Sequence, residues 1–489
     1  MKIAFVVQRY GTEILGGAEY HCRLIAERLA ERHQVDVLTT CAREYTTWKN
    51  EYPEGTDRVR GVTVRRFATT RTRDMAAFNT FSDWIFTTSH TRHDELEWLK
   101  QQGPWAPGLI EYLERQHQQY DVLIFFTYLY APTVLGLKVA PSKSLLVPTT
   151  HDEPALRLGI FQEVFASPAG IVWNTDVERQ FVSSMFRLRA LVEDVVGCGV
   201  DLPEGEAVDS LERTVIAPPS REPLAAHLEG RANTFRRRHR MQNPFILYGG
   251  RIDPGKGCEE LLEYFQAYLS EGGDANLMLM GSKLMPLPDD PHVRFAGMLP
   301  DEERLHAIEA ATVVVVPSPY ESLSLLALEA FAVGTPVLAN ARAEVLVEHC
   351  RRSNAGLYYA DRWEFIDALK LLMKDGAMRA AMGRNGRAYI NQHYRWSTII
   401  HKYERMFARL SSPRPHIERD RERERERERE PERERDRERE RPRFGRQQDR
   451  PAGRDRDRRE GRDRGRDRGR AGGRPGSGGR GPGPRRPRR

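Results

Sequence analysis

Between Ala311 and Pro336 the chain changes character twice, and that double change restricts what it can fold into. Ala311-Thr-Val-Val-Val-Val316 is a β-branched run suited to a buried parallel strand. Pro317, Ser318 and Pro319 end it before an apolar-periodic helix begins, and Gly334-Thr335-Pro336 marks a turn into the next strand. The turn therefore lies at a strand's carboxyl end, where open α/β sheets bind their ligands. A helix starting there aims the free N–H groups of Ser322, Leu323 and Ser324 at an anion such as a phosphate. Glu321 in the turn and Glu329 inside the helix cannot hold a phosphate. A carboxylate can accept both hydroxyls of a vicinal diol, so Glu329 suits a ribose and Glu321 a second sugar. The Leu323, Leu325, Leu326 and Leu328 cluster reads as core.

A second strand-to-turn junction supplies cations. Phe245-Ile-Leu-Tyr-Gly-Gly-Arg-Ile-Asp-Pro-Gly-Lys-Gly257 runs from a short apolar strand into a glycine-rich turn flanked by Arg251 and Lys256. Gly250 to Lys256 matches the front of a P-loop, but position 257 is glycine where that motif needs Ser or Thr for magnesium, which excludes the ATPase reading. What remains is one guanidinium and one ammonium able to neutralise a diphosphate without a metal. Taken singly, Glu329 and Lys256 read equally well as solvated charges; their joint placement is what argues for a site.

Gly250-Arg251 to Lys256-Gly257, followed by Glu321 and by Glu329-Ala-Phe-Ala-Val-Gly-Thr-Pro-Val337, resembles the C-terminal domain of the family 4 retaining glycosyltransferases. The resemblance implies an α/β fold of the GT-B type, two Rossmann-like domains facing across a cleft, with the nucleotide-sugar donor mainly on the C-terminal one. It implies that Arg251 and Lys256 grip the diphosphate, that Glu321 contacts the donor sugar and that Glu329 contacts the ribose. One departure is Ser324, where many members have glycine. A serine keeps the backbone N–H while altering the shape of the sugar pocket.

The amino-terminal half begins with Lys2-Ile-Ala-Phe-Val-Val7 as a first buried strand, then a loop to Gly16-Gly17-Ala18-Glu19 and a helix with Leu24, Ile25 and Leu29 on its apolar face. The adjacent glycines do not make the G-x-G-x-x-G dinucleotide pattern. They resemble the family's first loop, so Gly16 and Gly17 are carried over as donor-binding positions where a missing side chain permits close backbone approach. Tyr120-Asp-Val-Leu-Ile-Phe-Phe126 and Ser144-Leu-Leu-Val147 are further strands, the second leading to Pro148-Thr-Thr-His-Asp-Glu-Pro154. His151 in that loop resembles the family's cleft histidine beside the reacting sugar, with Asp152 and Glu153 placed to orient it or meet an acceptor. An ordinary surface-turn histidine is the alternative. Asp194-Val-Val-Gly-Cys-Gly-Val-Asp201 resembles the family's Asn-Gly-Val-Asp segment near the hinge, with Cys198 where asparagine is common.

These readings divide the 489 residues into a domain over 1–199, a linker over 200–240, a nucleotide-sugar domain over 241–395, an amphipathic helix over 396–410 that by resemblance crosses back to the first domain, and a disordered charged C-terminal tail over 411–489. The tail alternates Arg with Glu or Asp, then turns to Arg-Gly and Arg-Pro. Its alternation places unlike charges at i,i+3 but like charges at i,i+4, which supports at most a transient helix. It holds thirty arginines against eighteen acids, so the whole-chain charge of +7 is a tail property and the body is net acidic. Such a tail suits anionic polymers or anionic lipids, or serves only to solubilise. With Phe444 as its one aromatic it offers no stacking platform, and no specific nucleic-acid recognition is predicted.

No His/Cys cluster has zinc spacing, and Asp289-Asp290 reads as a loop, so neither metal nor cofactor is expected and the nucleotide diphosphate-sugar is a substrate. Five scattered cysteines, with no signal-peptide core or membrane span, predict a cytoplasmic protein, with peripheral contact at the inner face of a membrane as a further expectation. The predicted reaction is retaining transfer of a sugar to a hydroxyl acceptor, a saccharide or lipid-linked saccharide in polysaccharide or glycoconjugate synthesis. The leaving phosphate would assist deprotonation and His151 would orient the sugar. The competing expectations are a GT-B-like epimerase or hydrolase, and a non-catalytic RNA- or membrane-associated scaffold acting through the tail.

Overall fold

A computed structural model describes residues 1–14, 16–202, 223–241 and 243–411. The expected tail from 412 onward and the part of the expected linker over 203–222 lie outside them. Two mostly parallel sheets organise the described chain. The first contains β1 (Lys2–Val6), β2 (Gln34–Thr40), β3 (Gly55–Val59), β4 (Val62–Phe67), β5 (Val122–Phe126), β6 (Ser144–Val147), β7 (Gly170–Trp173) and β8 (Val192–Val195) in the order β3-β4-β2-β1-β5-β6-β7-β8. The second contains β9 (Phe245–Gly249), β10 (Asn276–Met280), β11 (Val293–Gly297), β12 (Val313–Val316), β13 (Val337–Asn340) and β14 (Gly356–Tyr359) in the order β11-β10-β9-β12-β13-β14. Every pairing is parallel except the β3–β4 hairpin, where Gly55 faces Arg66.

The central strands are continuous apolar runs because helices cover both faces of each sheet. In β1, Ile3 and Phe5 point to a layer with Ile25 and Leu29 of helix Gly17–Ala30, while Ala4 and Val6 point to the layer holding Trp98, Leu109 and Leu113. In the second sheet Val314 and Val316 meet Ala327, Leu328 and Phe331 of helix Leu325–Val333, and Val313 and Val315 meet Leu261 and Phe265 on the other side. Fully burying each Leu or Phe contributes about 1.5–3 kcal/mol, so this packing fixes the turn ahead of the helix as well as the helix itself.

Two features of connectivity bear on the site. The second half of the segment expected as linker is a helix, Pro223–Arg238, packed against helix Asp301–Ala310, with Phe235 buried. The sequence allows a short helix within this linker, and Phe235 with Ala232 anchors it to the core. Helix Trp396–Ser411 packs on β8 and on helix Gly17–Ala30, with Lys402 Nζ donating to the carbonyl of Val195 at 2.7 Å. The two passages of chain between the sheets run side by side: Val200 N–H donates to the Tyr394 carbonyl at 3.0 Å, and a Cβ on Gly199 would lie 2.4 Å from the Trp396 ring.

Candidate active site

The cation-bearing turn is built around a backbone constraint. β9 ends at Gly249, and Asp253 Oδ1 accepts from Lys256 N–H at 2.9 Å, capping the short turn Pro254–Lys256. Gly257 then adopts φ 72°, and a Cβ there would sit 2.4 Å from the carbonyl oxygen of Pro317 at the end of β12. Glycine at 257 thus has a structural duty: it lets the two turns touch. The contact brings Lys256 Nζ to 2.8 Å from Glu321 Oε1 and 3.4 Å from Ser318 Oγ. Arg251 Nε lies 3.3 Å from Asp253 Oδ2, and its guanidinium sits 5.2 Å from the ring centre of Tyr45, which belongs to the first sheet's domain. Burial opposes the charge of Arg251, but Asp253 and the neighbouring tyrosines hold its pKa above the ordinary value.

The second turn differs from its sequence expectation in one respect. The helix begins at Leu325, so Ser322, Leu323 and Ser324 precede it, and their amides make no hydrogen bond among the described residues. Ser324 is the cap, with φ 63° and ψ 81°. This left-handed conformation is the physical reason glycine suits the position; serine tolerates it at a cost. His349, fully buried on helix Glu344–Ser353, supports the turn from below: Nε2 lies 2.9 Å from the Leu323 carbonyl and Nδ1 3.0 Å from Tyr389 Oη. Burial lowers its pKa to about 4, so at neutral pH the ring is uncharged.

Glu329 is 5% exposed and paired with Arg304 of helix Asp301–Ala310. Arg304 also donates to Tyr20 Oη at 2.8 Å, and Tyr20 lies on the first helix of the opposite domain. Burial opposes the Arg304 charge, but Glu329 more than offsets it and raises the pKa. The acid expected to read a ribose is therefore already held by a cation that reaches across the cleft. Nothing in the local sequence around Arg304 signals this, since its partner is 25 residues away on another helix.

On the opposite wall, His151 follows β6. Its ring lies 5.5 Å from that of Tyr320 with an interplanar angle of 32°, and its Nε2 is 3.7 Å from Glu153 Oε1, which accepts from Tyr128 Oη at 2.5 Å. Asp152 instead faces Arg157 at 2.9 Å on the exposed rim. Asn174 Nδ2 donates to Ser322 Oγ at 3.2 Å, so a second loop of this wall also meets the turn. Gly16 and Gly17 precede and open helix Gly17–Ala30. A Cβ on Gly16 would lie 2.2 Å from Glu19 Oε2, whose carboxylate is locked to Arg9 at 2.6 Å, whereas one on Gly17 would meet nothing within 4 Å. The need for glycine at 16 is met inside the chain; only at 17 is the space open. His151, Arg251, Lys256 and Glu321 thus lie on loops that meet between the two sheets. Tyr45, Tyr320, Asn174 and Arg304 join them without having been singled out by the sequence. Among the described residues no group of three or more His, Cys, Asp or Glu side chains is arranged to hold a metal ion.

Residues 231–389 match the family model of glycosyl transferases group 1. The two facing parallel sheets and this matched domain define a glycosyltransferase of GT-B fold. Among curated relatives, a D-inositol 3-phosphate glycosyltransferase of Corynebacterium urealyticum is 26% identical over 445 residues, covering 84% of this chain and 96% of the relative. A phosphatidyl-myo-inositol mannosyltransferase of Mycobacterium leprae is 25% identical over 284 residues, covering 56% and 68%. Among solved structures, sucrose-phosphate synthase from Thermosynechococcus elongatus superposes with a TM-score of 0.59 at 19% identity, covering 84% of this chain and 98% of that one. Anabaena Alr3699/HepE in complex with UDP-glucose superposes at 0.57 and 17%, covering 83% and 99%.

Proposed function

We propose that this enzyme moves a sugar from a nucleoside diphosphate sugar to a hydroxyl of a saccharide or lipid-linked acceptor, with retained anomeric configuration and without a metal. The observation that carries the reading is the 2.8 Å contact of Lys256 with Glu321: a cation suited to a leaving diphosphate beside a carboxylate suited to sugar hydroxyls. The UDP-glucose bound by HepE supports a nucleotide-sugar donor, and the inositol phosphate and phosphatidylinositol in the relatives' names favour a polyol or lipid-linked acceptor.

In this scheme the bond between the anomeric carbon and the diphosphate oxygen breaks while negative charge gathers on the phosphate. Lys256, Arg251 and the amides of Ser322 to Ser324 stabilise that charge, a preorganised contribution commonly the largest in such reactions. The departing phosphate oxygen accepts the acceptor's proton on the same face, and His151 donates to a sugar hydroxyl. Glu329 reads the ribose with the oxygen that Arg304 leaves free. We place the reaction at the cytoplasmic side, with the arginine-rich tail as a contact for anionic polymers or lipids or as a solubilising appendage.

The test is a thermal-shift screen of nucleotide sugars followed by a transfer assay with the donor that stabilises most. Lys256→Ala and Glu321→Ala should each lower kcat/KM by roughly 100-fold or more, as removal of one such stabilising group does elsewhere. Unchanged transfer in both variants refutes the reading. Donor consumption that needs no acceptor would identify an epimerase or hydrolase instead.

A further inference from the structure

The wall opposite the donor turn contains a buried acid that the transfer scheme leaves unused. Glu178 lies in the first turn of helix Asp176–Met185 and is 2% exposed. Its Oε1 accepts from Thr150 N–H at 2.5 Å and its Oε2 from Asn174 N–H at 2.7 Å. A helix-capping role would need only the local bond, and that bond is made separately: Thr175 Oγ1 accepts from Glu178 N–H at 3.1 Å. The carboxyl reaches further, spanning the ends of β6 and β7. Thr150 immediately precedes His151, and Asn174 is the residue whose side chain donates to Ser322.

Among the described residues no salt bridge or charge–charge pull from a cation reaches this carboxyl. On its own helix Asp176 pairs with Arg179 and Arg352; on β8 Glu193 accepts from Trp173; in the loop above, Glu153 faces His151 and Tyr128. Burial without a countercharge pushes the Glu178 carboxyl up to about 8 against the pull of its two amide donors. The Thr150 hydroxyl also pulls on this carboxyl, and Asn174 Oδ1 is buried with no hydrogen-bond partner among the described residues.

We propose that Glu178 is a positioning residue for sugar transfer, setting the His151 loop and the Asn174 contact with the donor turn in one register. This rests on the transfer reading above. Arg251 and Lys256, which grip the diphosphate, stand on the other domain and do not touch it, and the Ser322 to Ser324 turn is held by His349 of that domain as well as by Asn174. Loosening Glu178 should therefore misplace reacting groups while leaving nucleotide affinity intact, and a displacement of about 1 Å at a reacting centre costs on the order of 100-fold in rate.

The experiment compares wild type with Glu178→Gln, whose amide nitrogen cannot accept from a backbone N–H, and with Glu178→Asp, one methylene too short to span both loops. The expected result is kcat lower by about 10-fold to 100-fold per folded molecule, with UDP and GDP affinities by calorimetry within threefold of wild type. A kcat within threefold of wild type overturns the proposal, as does parallel loss of nucleotide affinity, and so does failure of both variants to fold, which would make the acid a folding requirement. Wild-type protein that binds nucleotide yet turns over no donor with any acceptor overturns the transfer reading itself, and this proposal with it.

Discussion

Replacing Gly257 with alanine tests whether the two ligand-facing turns are held together by a backbone contact. Two penalties apply there. The residue has φ 72°, which costs an L-residue about 1–2 kcal/mol, and the added Cβ would stand 2.4 Å from the Pro317 carbonyl oxygen, which is backbone and cannot swing aside. Overpacking of that kind adds about 1–3 kcal/mol, while reduced freedom of the unfolded chain returns about 0.4–1 kcal/mol. The net expectation is a loss of about 1–5 kcal/mol, centred on about 3 kcal/mol. Gly272 provides the internal control: its φ is 84°, but a Cβ there meets nothing within 4 Å, so Gly272→Ala carries the conformational penalty alone. Urea denaturation of both variants separates the two terms, and the difference measures the contact. The same displacement should move Lys256 from Glu321 and weaken UDP or GDP binding in Gly257→Ala only. Equal destabilisation of the two variants, with nucleotide affinity unchanged in both, would refute the reasoning.

Other outcomes follow from the same geometry. Arg304→Leu leaves Glu329 buried beside no cation and should cost about 3–5 kcal/mol in denaturant unfolding; a change below 1 kcal/mol would mean that the acid finds water or another partner. His349 has a folded pKa of about 4 against an ordinary value of 6.5, so the unfolded chain binds the extra proton between those values. Stability should accordingly fall as pH drops from about 6.5 to 4, by on the order of 3 kcal/mol from this group. His349→Gln should flatten that limb, as measured by urea midpoints across the range. Lys256→Ala should change stability by less than about 1 kcal/mol, because its ion pair is partly exposed, while removing most transfer activity.

The parts legible in the sequence were those set by local chemistry. The Val313–Val316 strand, the proline stop and the glycine-rich turn after β9 announce themselves through branching, ring closure and backbone freedom, and the GT-B fold class came from the family resemblance those motifs carry. Even Ser324 could be marked as unusual, and its positive φ supplies the cause. Contacts made across the fold carried no such signal. Tyr45 meets Arg251, and Tyr20 meets Arg304, only because two sheets bring distant loops together; aromatic and cationic side chains of those types also cover ordinary surface. At Pro223–Arg238 composition allowed a short helix within the linker but not where it docks, because Phe235 meets its partners only across the fold. At Gly16 the residue type was informative, and the neighbouring Glu19 carboxylate is a constraint that the sequence did not announce.

The paired chain passages at Val200 and Tyr394 have a mechanical consequence. Gly197 and Gly199 lie close against Tyr394 and Trp396, so the two passages are pinned together at one place, and that edge is where a swing of the domains would be centred, like covers about a spine. Tyr45–Arg251 and Tyr20–Arg304 then act as clasps, and a disulfide engineered across either pair of loops should arrest the swing while leaving each cover intact. Oxidised protein of that kind should hold nucleotide with a slower off-rate than its reduced form; equal off-rates would show that nucleotide leaves without the hinge moving.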